Sequence, residues 1–194
     1  SGIAAVKVDA ESGKPANLGN PWGTDADIAS YGKLIYTRQM GNRWQASEGP
    51  EIIYHDGYYY LFLAYDALGV PYNTRVVRSK NITGPYLGID GTDCTNAGGD
   101  AYPIVTHPYK FNGHYGWVGI SHCAVFDDGE GNWFYASQGR LPVGIQGNEA
   151  SNALMTGHVR SIRWTKSGWP VVMPERYGAV PQVAIAEEEL IGNW

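Results

Sequence analysis

The chain has 194 residues, a formal net charge of −5, 43% hydrophobic residues and 17% charged ones; this excludes a disordered chain and leaves room for one large domain. It contains no basic run, which argues against nucleic acid as a partner, and no stretch approaches the roughly 20 apolar residues of a membrane span. The unusual feature is 26 Gly beside 7 Trp, 14 Tyr and 4 Phe: tight turns plus aromatic planes that suit sugar rings, with strand and core filling as the plain alternative. No charged-then-apolar leader opens the sequence, so any signal peptide is already removed or never existed. Cys94 and Cys123 lack metal-ligand spacing, and a disulfide and two separate thiols both remain open.

In chain order, residues 3–8 (I-A-A-V-K-V) read as a strand, residues 11–28 as a Gly, Pro, Asn and Asp-rich loop anchored by Trp22, and residues 34–38 (L-I-Y-T-R) as a second strand. Residues 39–47 lead to Glu48, which stands before Gly49-Pro50. Proline fixes its own φ and pushes the preceding residue out of the helical region, so this is a rigid corner at which a strand begins. Residues 51–54 and 58–65 flank His55-Asp56-Gly57, a strong hairpin signal. A strand follows at 73–79, a turn at 81–86 and a polar Gly-rich loop at 88–101. The pattern then returns three times. A turn at 111–115 leads into 116–120, a turn at 127–131 joins 123–126 to 133–137, and a turn at 165–168 joins 159–164 to 169–173. Helical periodicity is absent, with residues 183–194 the one ambiguous stretch.

Repeated hairpins without helices predict an all-β fold, either a β-propeller of four-stranded blades or a β-sandwich. Roughly eleven strands make about three blades at four strands each, too few to close a ring. A carboxylate held at a strand mouth is placed to act on a ligand, so Glu48 is the first candidate for chemistry. A solvated loop glutamate is the bland alternative, and Glu51 lies on the other side of the same corner.

Four segments in order resemble glycoside hydrolase family 43, and within it the α-L-arabinanases. They are E-G-P with its hairpin (48–62), R-S-K-N-I-T-G-P-Y (78–86), S-H-C-A-V-F-D-D-G (121–129) and G-W-P-V-V-M-P-E-R-Y (168–177). The resemblance implies a five-bladed β-propeller of which this chain supplies about three blades. Residues 1–182 form the C-terminal portion of the catalytic domain, and residues 183–194 lead into a further β-domain or tail. It also implies hydrolysis of α-1,5-linked arabinan with inversion, outside the cell or in the periplasm, with Glu48 as general acid. A general acid has to arrive protonated, which partial desolvation or a neighbouring carboxylate favours. The family's two aspartates, the base and its tuning partner, belong to blades absent here, so an N-terminal-half polypeptide is the implied partner. Neither Asp66 nor Asp100 is promoted to replace them.

The resemblance further implies that His122 holds a Ca²⁺ ion in a central channel, mostly through water, and that Arg140 reaches the active centre. Gln138 stands where many members have His in H-x-R, which puts the hydrogen bonding around Arg140 in question. Tyr65, Asp66, Tyr72 and Asn73 are the candidates for sugar contact, with strand filler or loop capping as alternatives. Two other functions stay open: a non-catalytic sugar-binding module that kept the pocket, and a relative acting on xylan or arabinoxylan.

Overall fold

A computed structural model of the chain describes residues 2–15, 32–38, 47–110, 116–142 and 155–178. Strands β1 (Gly2–Ala5) and β2 (Lys33–Thr37) pair as a two-stranded antiparallel sheet. Strands β3 (Ser47–His55), β4 (Tyr58–Tyr65), β5 (Asn73–Ser79) and β6 (Ile104–Thr106) form an antiparallel meander in chain order. Strands β7 (Ala124–Asp127), β8 (Trp133–Gly139), β9 (Thr156–Trp164) and β10 (Pro170–Val172) repeat that plan. The all-β expectation therefore holds for the described residues, none of which is helical.

Turn chemistry explains the register. Asp56 and Gly57 take φ of 45° and 81°, the two positive values of a type I′ turn, whose twist matches the strands it joins. His55 then faces Tyr58. The expected turn at 127–131 is held by Asp128, whose Oδ1 accepts from the amides of Glu130 and Asn132 at 2.9 and 3.1 Å. At 165–168 the amides of Gly168 and Thr165 close the turn on Thr165 and Trp169 carbonyls, each at 2.9 Å.

The period-2 alternation of the strands divides the core in two. One face of the first meander sends Ile53, Tyr60, Phe62 and Val76 against Val125, Tyr135 and Ile162 of the second. Its other face packs Leu61, Leu63, Tyr65 and Val77 against Ile35, Tyr36, Tyr86, Cys94 and Ala101. Cys94 and Cys123 belong to different clusters, and both are free and buried thiols. Burial pushes each of them up to about 12, so neither is a ready thiolate.

Two expectations need correction, and one strand was not foreseen. The first strand is four residues long and ends at Ala5. Residues 116–120 form no strand; Trp117 and Val118 make only single bridges, to Tyr109 and Arg140. The outer strand of the first meander is instead the three-residue β6, hidden between Pro103 and Pro108. Trp22, the lead-in at 39–46, the turn at 111–115 and the boundary at residue 182 lie outside the described residues.

Candidate active site

The Glu-Gly-Pro corner is a β-bulge. The register of β3 on β4 shifts between Glu48 and Glu51, and Gly49 takes φ of 53°, a left-handed conformation that suits glycine. Glu48 is left at the mouth of β3 with its side chain 57% exposed. Tyr72, 1% exposed at the approach to β5, donates its hydroxyl to Glu48 Oε1 at 2.6 Å. The same hydroxyl lies 3.3 Å from His122 Nδ1, and Nδ1 lies 3.9 Å from Glu48 Oε1. Burial and the adjacent carboxylate push the Tyr72 phenol well above its ordinary range, so it stays protonated and remains a donor.

His122 reaches this cluster because the residue before it is locked. Ser121 is fully buried; its hydroxyl donates to the Asn73 carbonyl at 2.8 Å and lies 2.8 Å from Thr74 Oγ1. His122 itself turns through φ of 58°, which aims an imidazole with 60% side-chain exposure across Gly49. A Cβ on Gly49 would stand 3.1 Å from two atoms of that ring. The E-G-P and S-H-C motifs thus meet in space. Glu51, the alternative acid, accepts from the Val125 amide at 3.3 Å and links β3 to β7. Its contact is structural.

Arg140 is brought next to this cluster without being opened to a ligand. It is fully buried, its guanidinium lies against Gly119, and Nη1 donates to the Leu68 carbonyl. Burial lowers its proton affinity, while the nearby Tyr72 oxygen opposes that shift. Its link to the site is this electrostatic one with Tyr72. Gln138 lines a hollow of about 590 Å³ together with His122, and its buried Nε2 has no hydrogen-bond partner among the described residues.

The other sugar-contact candidates belong to a separate ion network. Tyr65 is fully buried in the second core; its hydroxyl meets Tyr36 and accepts from the Ala101 amide at 2.8 Å. It carries the guanidinium groups of Arg38 and Arg75, 4.1 and 4.4 Å from its ring centroid, and presents no face to a sugar. Asp66 accepts from Arg38 at 2.9 Å and from Asn73 Nδ2 at 2.7 Å, with Arg75 at 3.8 Å. Asp100 accepts from Arg38 at 2.9 Å, with Arg75 at 3.7 Å. Asn73 also donates to the Pro71 carbonyl at 2.8 Å and accepts from Arg75 at 3.1 Å. Two carboxylates against two arginines make a structural clamp at the β4–β5 end. Tyr65 is thus buried in the core, and Asp66 and Asn73 are engaged in this clamp, while Tyr72 stays with Glu48.

This clamp gives an acid-stability prediction. Burial alone would raise Asp66, but the hydrogen bonds from Arg38 and Asn73 and the two guanidinium charges outweigh it and hold it below the ordinary carboxylate range. A depressed folded value means stabilisation present above the unfolded pKa of about 3.9, lost as pH falls through the folded value. The melting-temperature gap between the parent and Asp66→Asn should be constant above about pH 5 and shrink below about pH 4. A gap that does not change with pH would contradict the clamp.

The described residues hold no group of three or more His, Cys, Asp or Glu able to bind a metal. Ca²⁺ takes six to eight oxygen ligands. One imidazole with one carboxylate held by Tyr72 does not make that cage, so no chemistry is routed through an ion here. The sequence reading also passed over His158 and Arg160. Their signal was present: two basic residues at i and i+2 share one face of a strand that otherwise buries Ile162.

The geometry agrees with what the chain resembles. The sequence model of Glycosyl hydrolases family 43 matches residues 24–170, and the chain belongs to this family. It is 29% identical over 211 residues to an extracellular endo-α-(1→5)-L-arabinanase of Thermotoga petrophila, covering 100% of this chain and 40% of that protein. It is also 29% identical to extracellular endo-α-(1→5)-L-arabinanase 2 of Bacillus subtilis, covering 84% of this chain and 37% of the relative. The crystal structure of endo-1,5-α-L-arabinanase from Thermotoga petrophila superposes with a TM-score of 0.75 at 28% identity, over 98% of this chain and 41% of the other. The chain spans about two fifths of the length of the curated relatives it matches. It is a glycosidase chain of the arabinanase-like branch. Its polar centre is formed by the exposed side chains of Glu48 and His122 around the hydroxyl of the buried Tyr72.

Proposed function

We propose that the assembled protein hydrolyses α-1,5-linked arabinan with inversion, outside the cell, and that Glu48 is its general acid. The observation that carries this reading is the fixed carboxylate: a Gly-Pro bulge at the strand mouth, with Tyr72 at 2.6 Å and His122 at 3.9 Å. Glu48 donates its proton to the glycosidic oxygen as the C1–O bond breaks. A base carboxylate across the sugar, about 6.5–9.5 Å away, removes a proton from the attacking water. Tyr72 fixes the carboxylate, and Arg140 acts electrostatically on Tyr72.

The base belongs to the part of a five-bladed propeller that this chain does not supply. The two meanders are its complete blades, and β1–β2 belongs to a third. Support comes from the outer face of the second meander, where Phe126 and Val171 are about half exposed, with the Phe126 ring 5.5 Å from that of Phe134. An apolar sheet face of this kind suits a neighbouring blade. The partner is an N-terminal-half polypeptide carrying both aspartates.

The test follows the first product of linear arabinan by NMR in the assembled protein. The inverted anomer should appear first, before mutarotation. Retention, or no cleavage of arabinan beside cleavage of xylan, would overturn this reading. Ca²⁺ is proposed only as a water-shelled ion touching His122, its other ligands coming from outside the described residues. Chelation should then lower the melting temperature of the assembled protein, and an unchanged melting temperature would remove the ion from the account.

A further inference from the structure

A cleft of about 790 Å³, within the usual range for ligand sites, opens along the edge of β9, and none of Glu48, Tyr72 or His122 lines it. Its walls include Tyr109, Trp117, His158, Glu175, Arg176 and Tyr177. The segment after β10 follows β9 here, the Tyr177 amide donating to the Val159 carbonyl at 2.6 Å.

The polar wall is rich in donors and positive charge. His158 is 2% exposed, and its Nδ1 accepts from Arg160 Nη2 at 2.8 Å. That bond places the ring proton on Nε2, and Nε2 is buried without a partner among the described residues. Burial, Arg160 and Arg176 bring His158 down to about 4, so the ring is a neutral donor at ordinary pH. Arg160 stands behind it, 1% exposed. It also donates to Tyr109 Oη at 3.3 Å and to the Pro174 carbonyl at 3.4 Å, and Nη1 has no hydrogen-bond partner among the described residues. Neither Arg160 nor Arg176 makes an ion pair among the described residues.

A buried guanidinium without a counter-charge is costly, and through His158 it polarises the unused Nε2–H. The Arg176 guanidinium lies 5.1 Å from the Trp117 ring, and His158 meets that ring edge-on at 4.2 Å. Glu175 is the one carboxylate on the wall and is exposed. The local field therefore calls for an anion, and the aromatic walls call for a flat apolar face beside it.

We propose that this cleft is a second carbohydrate site that takes a sugar residue bearing a carboxylate, the carboxylate on His158 Nε2–H and Arg176 and the sugar ring along the aromatic wall. That the carboxylate is carried on a sugar rests on the polysaccharide reading above; the need for an anion does not. The site would hold an acidic portion of a polymer while Glu48 acts on a neutral one.

The test is calorimetric titration of the assembled protein with a galacturonic acid trimer, its fully methyl-esterified form and acetate. The acid trimer should bind at least tenfold tighter than the ester, and acetate at the same concentrations should give no heat. Arg176→Gln, a surface change, should weaken acid-trimer binding at least tenfold and leave turnover of an aryl arabinoside unchanged. Equal binding of acid and ester would make this a neutral-sugar cleft. Binding of acetate as strong as the trimer would make it a simple anion site. Either result, no binding at all, or an Arg176→Gln protein that binds as well as the parent, overturns the proposal. Arabinan cleavage assayed on the same sample separates the two readings, since loss of cleavage with acid-trimer binding kept would overturn only the catalytic one.

Discussion

Glu48→Gln in the assembled protein is expected to lower turnover of arabinan by at least about 10²-fold, the scale of general-acid catalysis. Glutamine keeps the size of the side chain, and its amide oxygen can still accept from Tyr72, now 2.6 Å from Glu48 Oε1. What disappears is the proton given to the departing sugar oxygen. An aryl arabinoside with a good leaving group needs little protonation and should lose far less. Steady-state kinetics on both substrates check this, and unchanged turnover of the polymer would remove Glu48 from the acid role.

Gly49→Ala is expected to be nearly as damaging, although Gly49 does no chemistry. An L-residue at φ of 53° costs roughly 1–2 kcal/mol. Its Cβ would also stand 3.1 Å from two His122 ring atoms, closer than ordinary contact, so ring and bulge must move apart. Both carry the polar centre. A misplacement of about 1 Å costs about 10²-fold in rate, so turnover should fall by that order while the melting temperature falls only a few degrees. A Gly49→Ala enzyme with parental kinetics would show that the corner is a passive turn.

Local features of the fold were readable in advance because their signals are local. Asp56-Gly57 specifies its turn by conformation alone, whereas Glu-Gly-Pro read as a corner opening a strand and is a bulge inside β3. β6 was hidden because it is three residues long between prolines and pairs only through Thr74 and Arg75. Tyr65 shows a second limit. It looked like a sugar platform at a strand end, yet it stands at i+2 and i+4 from Leu63 and Leu61, on the face buried against Ile35 and Tyr36. Strict use of the strand period would have placed it in the core. Asp66 and Asn73 needed more than periodicity, since Arg38, which binds Asp66, lies 28 residues away and arrives through β2 packing. Glu48 and Tyr72 lie 24 residues apart and Tyr72 and His122 lie 50 apart; the family motifs named two of the three, but only folding shows that the Tyr72 hydroxyl lies between them.

We propose above that this chain supplies the acid to a pocket that other residues complete. The direct measurement is to purify the 194-residue chain alone, assay it on linear arabinan, and then add the N-terminal half. The account predicts no activity for the isolated chain, because no base activates water opposite Glu48, and recovery on mixing, with a large apolar interface between the two polypeptides. Full activity of the isolated chain would contradict both the split pocket and the placement of the base outside it.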